Sequence, residues 1–232
     1  MNAFRKPLVL LVEDDEVIRA ATARSLERDG FAVITASTGP EGLVEFQRSR
    51  PGVAVLDVML PGLDGVELCR EIRRTSQIPV VFLSARTDAI DIVLGLEAGA
   101  DDYVTKPFDP AVLAARLRAA LRRSGTPTDA DVDQSSFGSV TIDHRGRQVM
   151  RDGEEVRLTP TEYRLLDELA RNAGLVLDRS TLLDRVWGYG WAGDGRLVDV
   201  HVQRLRAKIE DDPTRPTLVQ TVRGVGYKLV HP

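Results

Sequence analysis

The stretch Leu8-Val9-Leu10-Leu11-Val12-Glu13-Asp14-Asp15 runs from five consecutive apolar residues straight into three acids. A run that short and uniformly apolar fits a strand buried on both faces, and the acids end it. Comparable runs recur at Phe31–Ala36, Val53–Leu56, Pro79–Leu83 and Tyr103–Thr105, each separated from the next by a turn and a segment with helical spacing. The last such segment is the clearest, with Leu113, Leu117, Ala120 and Leu121 on one stripe. Five alternating strand and helix units predict an α/β domain, a mainly parallel sheet covered on both faces in a doubly wound, flavodoxin-like (βα)5 order.

At 232 residues the chain is long for one ordinary domain and suits two. Its 43% hydrophobic and 28% charged residues describe globular protein and exclude a disordered or collagen-like chain. The start offers only the run Leu8–Val12 before acids begin, so neither a signal peptide nor a targeting helix is expected. No later run approaches the roughly 20 apolar residues of a membrane span. A single cysteine, Cys69, makes an internal disulfide impossible and fits a reducing cytoplasm, with Cys69 as a small, partly buried filler.

The net charge of −4 hides an asymmetry. Residues 1–123 carry 16 basic and 18 acidic side chains, residues 124–136 three acids and no base, and residues 137–232 15 basic against 14 acidic. Within that last part, Arg196, Arg204, Arg206 and Lys208 stand against Asp199 alone, a local positive stripe suited to nucleic acid.

Residues 124–136, SGTPTDADVDQSS, have no periodicity and read as a flexible linker between domains at 1–123 and 137–232. After it come two or three short strands, with a turn at Asp152-Gly153, and then Leu158-Thr159-Pro160-Thr161-Glu162. There Thr159 suits the N-cap, Pro160 the first helical position and Glu162 the reciprocal partner of a capping box. Further helices follow at about Arg179–Trp187 and Arg196–Glu210, and two β segments flank Val222-Arg223-Gly224-Val225-Gly226. Strands, three helices and a Gly-containing terminal hairpin spell an α+β winged helix.

Ligands of doubly wound sheets sit outside the carboxyl ends of the strands. That rule selects Asp14 and Asp15 after the first strand, Asp57 closing the third, Ser84 after the fourth, and Lys106-Pro107 after the fifth. Clustered carboxylates repel unless a cation holds them, and oxygen-only ligands suit Mg²⁺, which bridges to phosphate oxygens. Asp57 is then a nucleophile beside a metal, able to form an acyl phosphate. Lys106 would neutralise the incoming oxygens as a point charge, and Ser84 would donate to one of them.

Residues 8–123 resemble a response-regulator receiver domain, through VEDD at the first strand end, LDVMLPGLDG around Asp57, LSA at Ser84 and GADDYVTKPF at Lys106. The resemblance implies that Asp57 takes phosphate from the histidine of a sensor kinase. It also implies that Asp14, Asp15, Asp57 and the main-chain carbonyl of Met59 hold Mg²⁺. Ser84 and Tyr103 match the positions whose side chains turn inward on phosphorylation, and Lys106-Pro107 a peptide bond that the family keeps cis.

In Arg196–Ile209, at roughly 100° per residue, Val198, Val202, Leu205 and Ile209 share an arc of about 60°, the core face. The opposite face carries Arg196, Val200, Gln203, Arg204 and Ala207, a mixture suited to a major groove. His201 and Arg206, on the flanks, suit phosphates. The segments LTPTEYRLL, RVWG, RLVDVHVQRLRAKIE and TVRGVGYKL resemble the OmpR/PhoB winged-helix output domain. By that resemblance Arg223 enters a minor groove, the loop Gly188–Gly195 faces RNA polymerase, and two domains bind promoter half-sites arranged as direct repeats. Trp187 reads as core, and His144 and His231 as incidental.

Receivers of this family resemble one another in dimerising through the fourth helix, fifth strand and fifth helix, with charged pairs across the two-fold axis. Here Asp102 would meet Arg116, and Asp101 would meet Arg123. A third charged pair is replaced by apolar Ile92 and Val112. The expected protein is thus a cytoplasmic, phosphorylation-activated transcription regulator of a two-component system, a homodimer when phosphorylated, with no membrane contact and no enzymatic turnover of its own. A rival phosphatase of the haloacid dehalogenase type needs a second acid two residues after its nucleophile, where Met59 stands. A degenerate receiver that ignores phosphate is opposed by the complete pocket.

Overall fold

The computed structural model describes residues 6–84, 95–125, 134–188 and 195–231. The chain divides into two units, Met1–Ser124 and Gly125–Pro232.

In the first unit, β1 (Leu8–Val12), β2 (Ala32–Ala36), β3 (Val53–Asp57), β4 (Val80–Ser84) and β5 (Asp102–Thr105) form one parallel sheet in the order β2-β1-β3-β4-β5. Val9, Leu11, Val53, Val55, Val81 and Leu83 project to one face. They pack there against Leu26 of helix Glu16–Arg28 and against Leu113, Ala114 and Leu117 of helix Pro110–Gly125. On the other face, Gly42 of helix Gly39–Ser49 lies against both Val12 and Leu68 of helix Gly65–Thr75, so closely that a Cβ there would stand 2.8 Å from Val12 and 3.2 Å from Leu68. Both faces being covered is why the strands are apolar throughout rather than alternating. The expected stripe on the last helix is present, with Leu113, Leu117 and Ala120 buried. Cys69 is fully rather than partly buried.

The linker expectation contracts at both ends. Helix Pro110–Gly125 continues past 124, and β6 starts at Gln134, where its residues pair with β7. Only residues 126–133 separate the elements, and they lie outside the described residues. Four antiparallel strands follow rather than two or three: β6 (Gln134–Phe137), β7 (Val140–Asp143), β8 (Gln148–Arg151) and β9 (Glu154–Glu155). Asp152 and Gly153 close the last hairpin with φ of 51° and 84°, both positive as a type I′ turn requires.

The capping box forms as read: Glu162 N donates to Thr159 Oγ1 and Thr159 N donates to the Glu162 carboxylate. It opens helix Pro160–Arg171, which is followed by a short helix, Arg179–Leu182, running into a π-turn at Leu183–Trp187, and by helix Arg196–Ile209. Strands β10 (Leu177–Asp178), β11 (Val219–Val222) and β12 (Gly226–Leu229) form a sheet in the order β10-β12-β11. A Cβ at Gly226 would stand 2.0 Å from the Leu177 carbonyl oxygen, so only glycine lets these strands approach. Trp187 is core, as expected.

Candidate functional site

Each acid at the strand ends is placed by a different local cause. Glu13 follows β1, is fully buried, and extends the strand pairing by donating its N–H to Ala36 O. Asp15 is exposed, and its carboxylate caps helix Glu16–Arg28, accepting from Val17 N at 2.8 Å and Ile18 N at 2.9 Å. This corrects the sequence reading. Glu13, Asp14 and Asp57 bring carboxylate oxygens within 4.8 Å of one another, while Asp15 is occupied by the helix start. Arg19 braces the loop from behind, donating to the carbonyl oxygens of Glu13 at 2.7 Å and Asp14 at 2.9 Å.

Asp57 closes β3 and is 5% exposed. Its Oδ1 accepts from Met59 N at 2.9 Å, which turns Oδ2 toward Lys106 Nζ at 2.5 Å. Gly65 lies so close behind that a Cβ there would sit 1.9 Å from Asp57 O. Lys106 Nζ also meets Glu13 at 2.6 Å. Its backbone is held to β4 by donation to Ser84 O, and its bond to Pro107 is cis. Ser84 is buried at the end of β4, and Tyr103 is half-buried on β5.

Burial pushes the Glu13 carboxyl above its ordinary value, with the Lys106 bond opposing and the Asp57 charge adding. Burial also presses on the Lys106 ammonium, but its bonds to Asp57 and Glu13 outweigh that and raise its pKa. Three acids around one ammonium are short of positive charge, and the donor set is entirely oxygen, which suits a hard divalent cation.

In the second unit the core face of helix Arg196–Ile209 is as read, with Val198, Val202, Leu205 and Ile209 buried. The outer face is narrower than expected. Val200 is 5% exposed, and His201 is fully enclosed, its Nδ1 on Leu197 O and its ring edge-on to Trp187 at 5.1 Å, so it belongs to the core and not to phosphates. Arg204 turns inward to Glu162 at 2.7 Å, which Lys208 also reaches at 2.6 Å. Arg206 donates to Val219 O and Thr221 Oγ1. Arg196, Gln203 and Ala207 stay outside, as does Arg223 at the hairpin tip.

Both acids expected to cross a dimer axis have partners in their own chain. Asp102 meets Arg116 at 2.9 Å, and Asp101 meets Arg73 at 2.7 Å while accepting from Val80 N. Ile92, residues 189–194 of the loop and the Arg123 side chain lie outside the described residues.

The sequence reading missed Glu13, although a strand ending at Val12 makes it the first residue past the strand. Asp15 two residues further on, before the acid Glu16 and an apolar pair, is the pattern of a helix N-cap. No helix among the described residues is long and apolar enough to cross a membrane.

Residues 9–118 match the response regulator receiver domain, and residues 153–229 match the C-terminal domain of transcriptional regulatory proteins. The transcriptional regulatory protein CseB of Streptomyces avermitilis is 58% identical over 232 aligned positions, covering 95% of this chain and 97% of that protein. The DNA-binding response regulator MtrA of Mycobacterium tuberculosis is 47% identical over 220, covering 95% of each. Among solved structures, the OmpR/PhoB homologue DrrB of Thermotoga maritima is 36% identical, with a TM-score of 0.51 over 97% of this chain and all of that one. A point mutant of RitR is 28% identical, with a TM-score of 0.71 over 96% of this chain and 98% of that one. An acid pocket at the strand ends of a parallel sheet, a winged helix after it and relatives matched nearly end to end make this chain an OmpR/PhoB-type response regulator, a receiver joined to a DNA-binding domain that regulates transcription.

Proposed function

We propose that Asp57 is the phosphoacceptor and that its phosphorylation activates DNA binding. The observation that carries this reading is the ion-paired cluster of Asp57, Lys106 and Glu13 at the strand ends, with Asp14 beside it. An Asp57 oxygen attacks phosphorus, the phosphorus–nitrogen bond of a phosphohistidine on the sensor kinase breaks, and the imidazole leaves. Lys106 then exchanges a carboxylate for a phosphoryl oxygen, and Ser84 donates to another. Glu13, Asp14, Asp57 and the carbonyl of Met59 would hold Mg²⁺, which supplies charge neutralisation at the transferring group. Ser84 and Tyr103 are the side chains that would signal the change.

In the output domain, Arg196 and Gln203 would face promoter DNA, with Arg223 in the adjacent minor groove and half-sites as direct repeats. Homodimerisation through the β5 side of the receiver, contact of the 188–195 loop with RNA polymerase, cytoplasmic residence and the absence of turnover complete the reading. Incubating the full chain with acetyl phosphate and Mg²⁺, then measuring intact mass, tests it. One stable adduct in wild type and none in Asp57→Asn is expected. An adduct that persists in the variant overturns the assignment.

A further inference from the structure

A partly exposed acid sits on the flank of the helix proposed to enter DNA. Asp199, one turn after Arg196 and one before Gln203, is 41% exposed at its side chain and Coulombically unfavourable beside a polyanion. It is not solvated idly. Asp199 Oδ1 accepts from Arg179 Nε at 2.7 Å and from the Tyr227 hydroxyl at 2.6 Å. Arg179 lies over the Tyr227 ring, 5.1 Å from its centroid, and Arg206 approaches the same ring at 5.6 Å. Three elements meet here: the start of helix Arg179–Leu182, helix Arg196–Ile209, and β12 of the hairpin carrying Arg223. Burial and the bond to Asp199 push the Tyr227 hydroxyl up to about 12, so it keeps its proton and remains the donor.

We infer that Asp199 is a specificity-determining positioning residue, which holds Arg179 away from indiscriminate phosphate contact and fixes the reading helix relative to the hairpin. The inference rests on the proposed DNA-facing surface. Two readouts, a helix in one groove and Arg223 in the next, report sequence only if their separation is fixed. A guanidinium free to reach any phosphate adds affinity for every sequence alike. Asp199 opposes the second and secures the first, so removing its charge moves specific and non-specific binding in opposite directions. Damage to the fold lowers both together.

The test uses phosphorylated full chain and two labelled duplexes of equal length, one enriched from a random library by the wild-type protein and one scrambled from it. Asp199→Asn is expected to lose about tenfold or more on the enriched duplex, the scale of one good base contact. On the scrambled duplex it should bind as tightly as wild type or more so, with a salt slope steeper by about 0.9 for the freed arginine. Tyr227→Phe keeps the ring and loses only the hydroxyl, and should shift the ratio the same way by a smaller factor. An unchanged ratio of the two affinities in both variants overturns the inference. A wild-type protein that enriches no sequence at all overturns instead the DNA-facing surface on which it rests.

Discussion

Glu162 and Arg204 meet at 2.7 Å with side chains 0% and 12% exposed, so the arginine that looks most suited to a base edge is spent inside the domain. Glu162 thereby does two things, completing the capping box of one helix and anchoring the next. Arg204→Ala should cost the winged-helix unit about 3 kcal/mol, the low end for stranding one member of a buried pair, because Lys208 still reaches Glu162. Both tryptophans lie in this half of the chain, so their emission during denaturant unfolding reports the unit alone. Wild-type stability in Arg204→Ala, with affinity lost at one base position only, would restore the base-reading role.

The same pair predicts an acid-sensitive unit. Burial raises the Glu162 carboxyl, but Arg204 and Lys208 outweigh it and hold the group below its ordinary 4.5. A depressed folded pKa gives stability that is present above the unfolded value and lost as pH falls through the folded one. The unit should therefore weaken progressively below about pH 4.5, and Glu162→Gln, though less stable at neutral pH, should show a shallower loss. Parallel slopes for variant and wild type would count against the pairing.

The parallel sheet, its strand-end pocket and the capped helix of the second domain were legible because each is written in periodicity or local spacing. What was not legible turned on side-chain direction. Helical phase put Val200 and Arg204 outside, but a helix packed on both flanks buries more than half its circumference, and only the structure shows which flank is covered. Asp14 and Asp15 look equivalent as letters, yet the second is captured by the helix start. His144, read as incidental, bridges Ser135 and Asp167 at 2.8 and 2.6 Å, a contact between segments far apart in the chain that no local pattern announces.

The two acids flanking Asp14 should separate cleanly by substitution. Asp15→Ala removes an N-cap and should cost the receiver about 1 kcal/mol while leaving Mg²⁺ affinity near wild type. Glu13→Gln should weaken Mg²⁺ by removing one carboxylate from the cluster. Calorimetric titration of each variant decides, and the reverse pattern would return Asp15 to the metal site.

Lys106 competes with any cation for the same oxygens, being ion-paired to Asp57 and Glu13 at once. Lys106→Ala should thus bind Mg²⁺ at least as tightly as wild type, yet form the phosphoryl adduct more slowly and couple it poorly to DNA binding. Chelating the metal should abolish the adduct in both. Weaker Mg²⁺ binding in Lys106→Ala would mean that the ammonium organises the acids rather than competing for them.

Dimerisation should depend less on salt than a fully charged face would. Asp102 and Arg116 already pair within one chain at 2.9 Å, so a partner's arginine can only exchange with the resident one, and little Coulomb energy is gained. Asp101 is similarly committed to Arg73. The position facing Ile92 in the proposed interface is Val112, 45% exposed, and an apolar pair there contributes association that screening does not touch. Sedimentation of phosphorylated protein across a range of ionic strength should therefore show a shallow dependence. The Ile92→Lys, Val112→Glu double variant should show a steeper one, since it places opposite charges where the apolar side chains met. Either single variant should dimerise more weakly than wild type, because its one charge would be buried against an apolar partner. If the double variant is no more salt-dependent than wild type, Ile92 and Val112 do not meet across the interface, and the association is held by other residues.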